Sequence, residues 1–468
     1  MLSLLSHGTY RDCQRVTRRD LLKIGTLGLT GLTLGDLLQV RKLAADEGNP
    51  LKDRSVVMLF LQGGPTHIET FDPKMTAPSE YRSMFGEVST SLPGVTIGGT
   101  FPRMAKLAHR MAIVRSFRHG NGSHATASKL VSSGGNPTGA NLGSLYARLA
   151  GSNNPATGMP TNALLNPAAV GDEYKKLYTN TGRIGDVGSL GKAYQAFDPS
   201  AGGEVKQNME LRIERDRLDD RRSLMRSLDR LKQQAEASDV QASYDRFNQQ
   251  AFDVILGGAA KAFDLSEEDP RTLEMYDTGE FTIPKAVIKK KRDTTPKFSP
   301  VALGKQMLLA RRLCEAGCGY VTVSSSGWDM HGNAFGIDDG MACLGPAVDK
   351  AVSAFLTDLE QRGLSDKILL VITGEFGRTP KINKKAGRDH WGNLCTLALA
   401  GGGLEMGQVI GQSDRTASVP ASDPIGPDHL MSTIMHSLFD LGTLRVVRGV
   451  PREILSSVEG GQPIPQLI

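Results

Sequence analysis

The sequence predicts an α/β protein built on a buried, largely parallel sheet, and three observations lead there. Lys367–Asn393 opens with a continuous apolar run, Ile368–Ile372, whose length and β-branched content suit a strand covered on both faces. Similar runs recur at Ser55–Leu61, Met111–Phe117, Tyr320–Ser324 and Leu394–Ala400, separated by stretches with helical patterning. Four of the five end in polar clusters: His67 to Asp72, His119 to His124, Asp329 with His331, and Glu375 to His390. Packing requires no His or Asp at a strand end. Ligands of open α/β sheets bind beyond the carboxyl ends of the strands, so the clusters are expected to meet there.

With 468 residues the chain exceeds one ordinary core, and one large domain with an insertion is expected. Its 39% apolar and 22% charged content is that of a globular protein. Residues 1–45 hold seven basic residues against three acids, so about +1 of the total charge of +5 is left for the body. Such a body has no global basic field, which argues against nucleic acid as a partner. Thr17–Lys23, with Arg18 and Arg19, resembles a twin-arginine export signal, followed by the weakly hydrophobic segment Ile24–Leu38. That segment is shorter than the roughly 20 residues a bilayer span needs. Residues 1–45 are therefore a leader, the export machinery is a partner, and the destination is the periplasm or another extracytoplasmic space. Leu43 spoils the small-residue cleavage pattern at Lys42–Ala45, so an uncleaved leader would be the chain's only membrane contact. Outside the leader the cysteines are Cys314, Cys318, Cys343 and Cys395; Cys314 and Cys318 read as buried rather than paired.

Along the chain, the first strand runs into Gln62–Asp72, where Gly63 and Gly64 allow close backbone approach and Thr66, His67, Glu69 and Asp72 offer polar groups. After the second strand come His119, Asn121, Ser123 and His124, then a helix over Ala125–Val131. A helix N-terminus at the sheet's carboxyl edge is an anion site suited to a phosphate or sulfate group. Residues Gly134–Thr181 read as loops with short helices. The charged stretch Val205–Ala237 and the segment Tyr244–Phe263 read as a helical insertion or cap within 200–298. Helices follow at Val301–Ala316 and Leu344–Arg362, and Pro427-Asp428-His429 caps one running to Leu441. Asp329 and His331, two apart on a loop, can face one divalent cation.

The motifs FLQGGPTHIETFDPK, SSGWDMHGN, TGEFGRTPKIN, GRDHW and LALAGGGLEMGQVIGQSD together resemble an exported bacterial family known as domain of unknown function 1501, within the alkaline phosphatase and sulfatase superfamily. The resemblance runs from Ser55 to the C-terminus and implies one domain over 53–468, a three-layer α/β/α sandwich around a mixed, mostly parallel sheet. It implies metal ions at the strand ends: Asp329 and His331 as a ligand pair, Glu375 where relatives place an Asp ligand, His390 as the later His ligand, and Asp389 beside it. Phe376 stands where relatives have a histidine. No C-x-P-x-R motif is present at the helix that carries the relatives' nucleophile, and His124 falls at that position. The implied activity is metal-dependent hydrolysis of phosphate or sulfate esters on a small molecule or a polysaccharide, with zinc, calcium or manganese as the cofactor. Arg378 would neutralise the anion, and Thr66, His67, His119 and Asn121 would contact substrate. Water activated by the metal, with His124 as ligand or base, is favoured over Ser123 as nucleophile. The rival expectation is a secreted binding protein that keeps the fold and a degenerate site.

Overall fold

The computed structural model of the protein describes residues 50–171, 173–174, 181–200, 260–285, 288, 299–332, 335–447 and 450–468. The expected leader at 1–45 and most of the expected 200–298 insertion lie outside the described residues. Leu51–Phe439 with Gly449–Ile468 form one compact unit, which contains the sheet. Met1–Pro50 with Asp440–Arg448 form another, whose described part includes a one-turn helix, Leu441–Leu444, capped by Asp440.

Strand β1 (Ser55–Gln62) lies within the sheet, hydrogen-bonded in parallel to β6 (Tyr320–Ser326) on one side and β7 (Ile368–Thr373) on the other. Leu59 sits opposite Val323 and Ile372, so three apolar runs share one register. Beyond β6 the edge is β5 (Asn162–Leu165), also parallel. Beyond β7 come β10 (Leu397–Gly401), β4 (Met111–Val114) and β11 (Gln408–Ile410). β10 is antiparallel to both of its neighbours, whereas β11 runs parallel to β4. One reversed strand among seven makes the sheet mixed but mostly parallel. The other six end at one edge, and β10 enters the sheet from that edge.

The five expected apolar runs all form strands, because each is covered on both faces. Val57, Leu59 and Leu61 of β1 join a core with helices α5 (Leu303–Glu315) and α6 (Ile337–Gln361). Val56, Met58 and Phe60, equally buried, point the other way by the strand's period of two. Helices α4 (Leu142–Ala150) and α7 (Pro427–Leu438) pack on the sheet there. The result is the three-layer sandwich. Among the described residues no helix is long and apolar enough to cross a membrane.

Two sequence expectations need correction. Residues 134–181 are not only loops and short helices, since they contain edge strand β5, too short and too flanked by polar turns to stand out. Helix α6 begins at Ile337 rather than Leu344, capped by Asp339, whose carboxylate accepts the Gly336 amide at 3.1 Å. Gly340, Gly345 and Pro346 lower its helical propensity, and tertiary packing overrides them. A side chain at Gly345 would collide with Thr100.

The described part of the expected insertion, 260–285, is tied to the C-terminal halves of α5 and α6 by a buried charge network. Arg311, 2% exposed, pairs with Glu268 (2.6 Å), Glu315 (2.5 Å) and Asp358 (2.9 Å), and the Tyr276 hydroxyl donates to Asp358 at 3.0 Å. Arg362 adds bonds to Glu268 and Asp358. These helix ends lead into β6 and β7, at the edge opposite the strands' carboxyl ends. Removing the central cation strands its carboxylates, which costs more than the pairs themselves contribute. Arg311→Met is expected to lower stability by about 3–5 kcal/mol, read as a reduced urea midpoint; an unchanged midpoint would contradict the network's role.

A second buried group makes stability depend on pH. His67, in the one-turn helix α1 (His67–Thr70), is 4% exposed; its Nε2–H donates to the Ala417 carbonyl at 2.9 Å, while Nδ1 has no partner. Burial lowers its pKa from 6.5 to about 4, outweighing the Ala417 carbonyl and Asp72, which favour the proton; Arg388 and Lys74 oppose it further. Between those values the unfolded chain binds a proton that the folded chain refuses. Stability is therefore full above about pH 6.5, falls as the pH drops and levels off below about 4, a total of about 3 kcal/mol. His67→Gln, which can keep the bond to Ala417, should flatten that part of the urea-stability profile; an unchanged slope would assign the acid sensitivity elsewhere.

Candidate metal centre

The centre begins where β6 ends. Gly327 turns the chain at φ 109°, and the Trp328 amide donates to the Gln62 carbonyl at 3.0 Å, binding the loop after β6 to the end of β1. At Gly63, with φ 115°, a β-carbon would overlap the Asp329 amide, so only glycine lets the two loops pass. Asp329 is thereby held above the strand ends with its side chain 45% exposed. Three histidines converge on it, His331 from the same loop and His124 and His390 from other elements. His331 Nε2 lies 2.9 Å and His390 Nε2 3.3 Å from Oδ1, and His124 Nε2 lies 3.6 Å from Oδ2. His124 is the first residue of α3 (His124–Ser133), after β4; His390 opens β9 (His390–Trp391), which pairs with β8 (Gly377–Arg378) beyond β7.

Each imidazole has its other nitrogen engaged. His390 Nδ1 donates to the Gly122 carbonyl at 2.8 Å, His124 Nδ1 to Glu375 Oε1 at 2.7 Å, and His331 Nδ1 to Asp389 Oδ1 at 3.2 Å. With Nδ1 carrying the proton, all three Nε2 atoms turn lone pairs toward Asp329. His331 and His390 Nε2 are 2.9 Å apart. Two lone pairs at that distance repel unless a cation, proton or metal, lies between them. Donors bound tetrahedrally at about 2.0–2.1 Å from zinc are about 3.3 Å from one another, so the spacings fit a metal closely. His124, Asp329 and His390 form a group able to hold an ion. A set of imidazoles with one carboxylate suits zinc or a similar transition ion, whereas calcium takes six to eight oxygens.

The charges respond accordingly. Burial raises the Asp329 pKa, but hydrogen bonds from His124, His331 and His390, together with Arg378, hold it far below the carboxylate range. Burial lowers that of His124, yet Asp329 and Glu375 carry it up to about 9. His331 is raised by its bond to Asp329. Without a metal, a proton is the cation that the cluster recruits.

The remaining expected site residues take other places. Glu375 is fully buried and not among the converging atoms: Oε1 accepts the Gly63 amide (2.8 Å) and His124, and Oε2 has no protein partner. Asp389, exposed, stands behind His331 in the same way. Arg378, 1% exposed, donates to the carbonyls of Gly63, Gly64, Trp328 and Arg388 and, at 2.5 Å, to Asp329, and its Nη1 lies 3.4 Å from His331 Nε2, so every guanidinium nitrogen is engaged within the protein rather than turned to a substrate anion. Thr66 caps α1, and His67 turns inward to Ala417, so neither reaches the cluster. His119 Nε2 donates to the Glu375 carbonyl at 2.7 Å, and Asn121 accepts the Ser123 amide at 2.9 Å; both shape the turn into α3. Ser123 is exposed at the N-cap with its hydroxyl uncommitted to the cap. One contributor escaped sequence reasoning: the Gly122 carbonyl carries no residue-type signal. Phe376, noted in the sequence only as standing where relatives have a histidine, is fully buried and packs its ring 4.4 Å from that of His390 and 4.9 Å from that of His124, an apolar wall.

Solved structures similar to this chain include the PsFucS1 sulfatase from Pseudoalteromonas sp., at 12% identity over 89% of this chain and 72% of that one, with a TM-score of 0.36. Another is the lipoteichoic acid synthase LtaP from Listeria monocytogenes, at 9% identity over 91% and 81% respectively, with a TM-score of 0.32. No curated protein matches the chain. A family model described as "Protein of unknown function (DUF1501)" matches residues 53–448, and the chain belongs to that family.

Proposed function

We propose that the protein is an exported hydrolase of phosphate or sulfate esters that depends on one divalent metal ion, zinc or a chemically similar ion. The observation that carries this reading is the convergence of three imidazole Nε2 atoms on Asp329, each with its Nδ1 proton already committed. A divalent ion held by His124, Asp329, His331 and His390 would supply Lewis-acid polarisation of the ester. Glu375, Asp389 and the Gly122 carbonyl fix the tautomer and orientation of the rings. The first turn of α3 has no acidic residue, and its amide end stands beside His124, where it favours the anionic end of an ester. Phe376 closes one side of the cluster with hydrocarbon and offers no donor, which limits the centre to one ion. His124 has both ring nitrogens in use, so it acts as ligand rather than attacking group.

Elemental analysis after reconstitution with zinc should find one ion per chain, largely lost in Asp329→Ala and His390→Ala and bound about 10–100-fold more weakly in Glu375→Gln. On aryl phosphate or aryl sulfate, His124→Ala should abolish turnover with an unchanged circular-dichroism spectrum, and Ser123→Ala should be nearly silent. No stoichiometric metal in the wild-type protein would sink the centre, and a covalent adduct on Ser123 would sink this choice of attacking group. A metal-loaded protein inert on both esters would favour the secreted binding protein.

Export rests on the paired arginines of the leader. Replacing Arg18 and Arg19 together with lysine, which keeps the charge but not the guanidinium geometry, should retain the full-length chain in the cytoplasm. Unchanged export of that variant, read by cell fractionation, would refute the route.

A further inference from the structure

We infer that the loop joining β8 to β9 is a subsite for additional anionic groups of the substrate, so that the ester acted on belongs to a polyol or oligosaccharide bearing several sulfate or phosphate esters; this rests on the ester-hydrolase reading. Lys381, Lys384 and Lys385 lie within five residues, all exposed, and among the described residues none is held in an ion pair. Their loop is firmly fixed. The Asn383 side chain donates to the His331 carbonyl (3.1 Å) and Asp389 (3.3 Å) and accepts the amides of Lys385 (2.9 Å) and Gly387 (3.1 Å). Arg388, fully buried, donates to the carbonyls of Thr379 and Pro380 from below. The loop also lies against the His331 segment, where a β-carbon at Gly332 would overlap the Lys385 carbonyl. Asn383, which fixes the lysine loop, thus also bonds Asp389, the carboxylate behind His331.

Charge decides what such a loop would bind. Acids on the segments paired with it are Glu80, Asp329, Asp338, Asp339 and Asp389, of which Asp329 is committed to Arg378 and the histidines, Asp339 to the Gly336 amide and Asp389 to His331. Three ammonium groups on a rigid support repel one another, and an anion bridging them relieves that repulsion. The field is local, because the chain beyond the leader carries only about +1. A nucleic acid duplex or strand is bound through an extended basic surface, which a net charge of about +1 beyond residue 45 does not favour. A compact molecule with a scissile ester at the histidines and further esters against the lysines matches the arrangement.

The test is equilibrium binding of dextran sulfate oligomers and of inositol hexakisphosphate to the full chain, with neutral dextran as control and a single-stranded oligonucleotide of matched charge as competitor. Lys381→Ala, Lys384→Ala and Lys385→Ala combined should weaken binding of one or both anionic probes about ten-fold. The loss of affinity between about 50 and about 200 mM salt should also become shallower. Which probe responds tells sulfate from phosphate. Equal affinity in the triple variant, no binding of either probe by wild type, or an oligonucleotide bound as tightly as the probes would overturn the subsite. Metal content, unchanged in the triple variant, controls for folding. Lysine-dependent binding that persists in Asp329→Ala, with a wild type lacking metal and turnover, would sink the hydrolase reading and leave the subsite standing.

Discussion

Arg378 joins three loops that would otherwise end in unpaired carbonyls. It sits in β8 directly across from His390 in β9 and sends its guanidinium inward, beneath the loops that follow β1 and β6. Four backbone carbonyls and one carboxylate accept from it. Carbonyls buried there have no water to turn to, and a lysine could not fork to reach them all. Burial lowers the pKa of Arg378, and Asp329 offsets only part of that effect. The cation that looks like an anion trap in sequence is thus the framework that holds Asp329 still, and Asp329 is the point on which His124, His331 and His390 converge.

The same logic separates what was legible in the sequence from what was not. Continuous apolar runs betray strands covered on both faces, so Ser55–Leu61 and Ile368–Ile372 could be read directly, and carboxyl-edge reasoning pointed to the edge where the candidate centre lies. β5 was hidden because an edge strand of four residues between polar turns has no run to show. Asp329, His331, His390 and His124 were visible as residue types that packing does not require. The placement of Glu375 and Asp389 behind the rings was not, because a carboxylate facing a metal and one facing an imidazole N–H have the same letter and spacing. Thr66 and His67 misled for a related reason: polar residues at a strand end are equally useful for capping a buried turn.

The donor set also distinguishes this centre from an oxygen cage. Carboxylates are plentiful nearby, yet two of them are spent on imidazole protons instead of facing the common point. Spending charge in this way raises the basicity of the ring nitrogens and lowers the net negative charge at the centre itself. An anionic ester, as proposed for this centre, would then meet less repulsion than a cluster of aspartates would give it.

The centre also reports on how the chain folds. His390 is bonded to Gly122 across 268 residues, His124 to Glu375 across 251, and Glu375 to Gly63 across 312. Each is a loop closure whose entropic cost is met only when the intervening strands are already paired. Local segments can acquire helix or strand early, but the three rings cannot meet until β4, β10, β7, β1 and β6 are paired in that order. The histidine cluster is therefore among the last features to assemble, and a chain with one strand out of place has no such cluster at all.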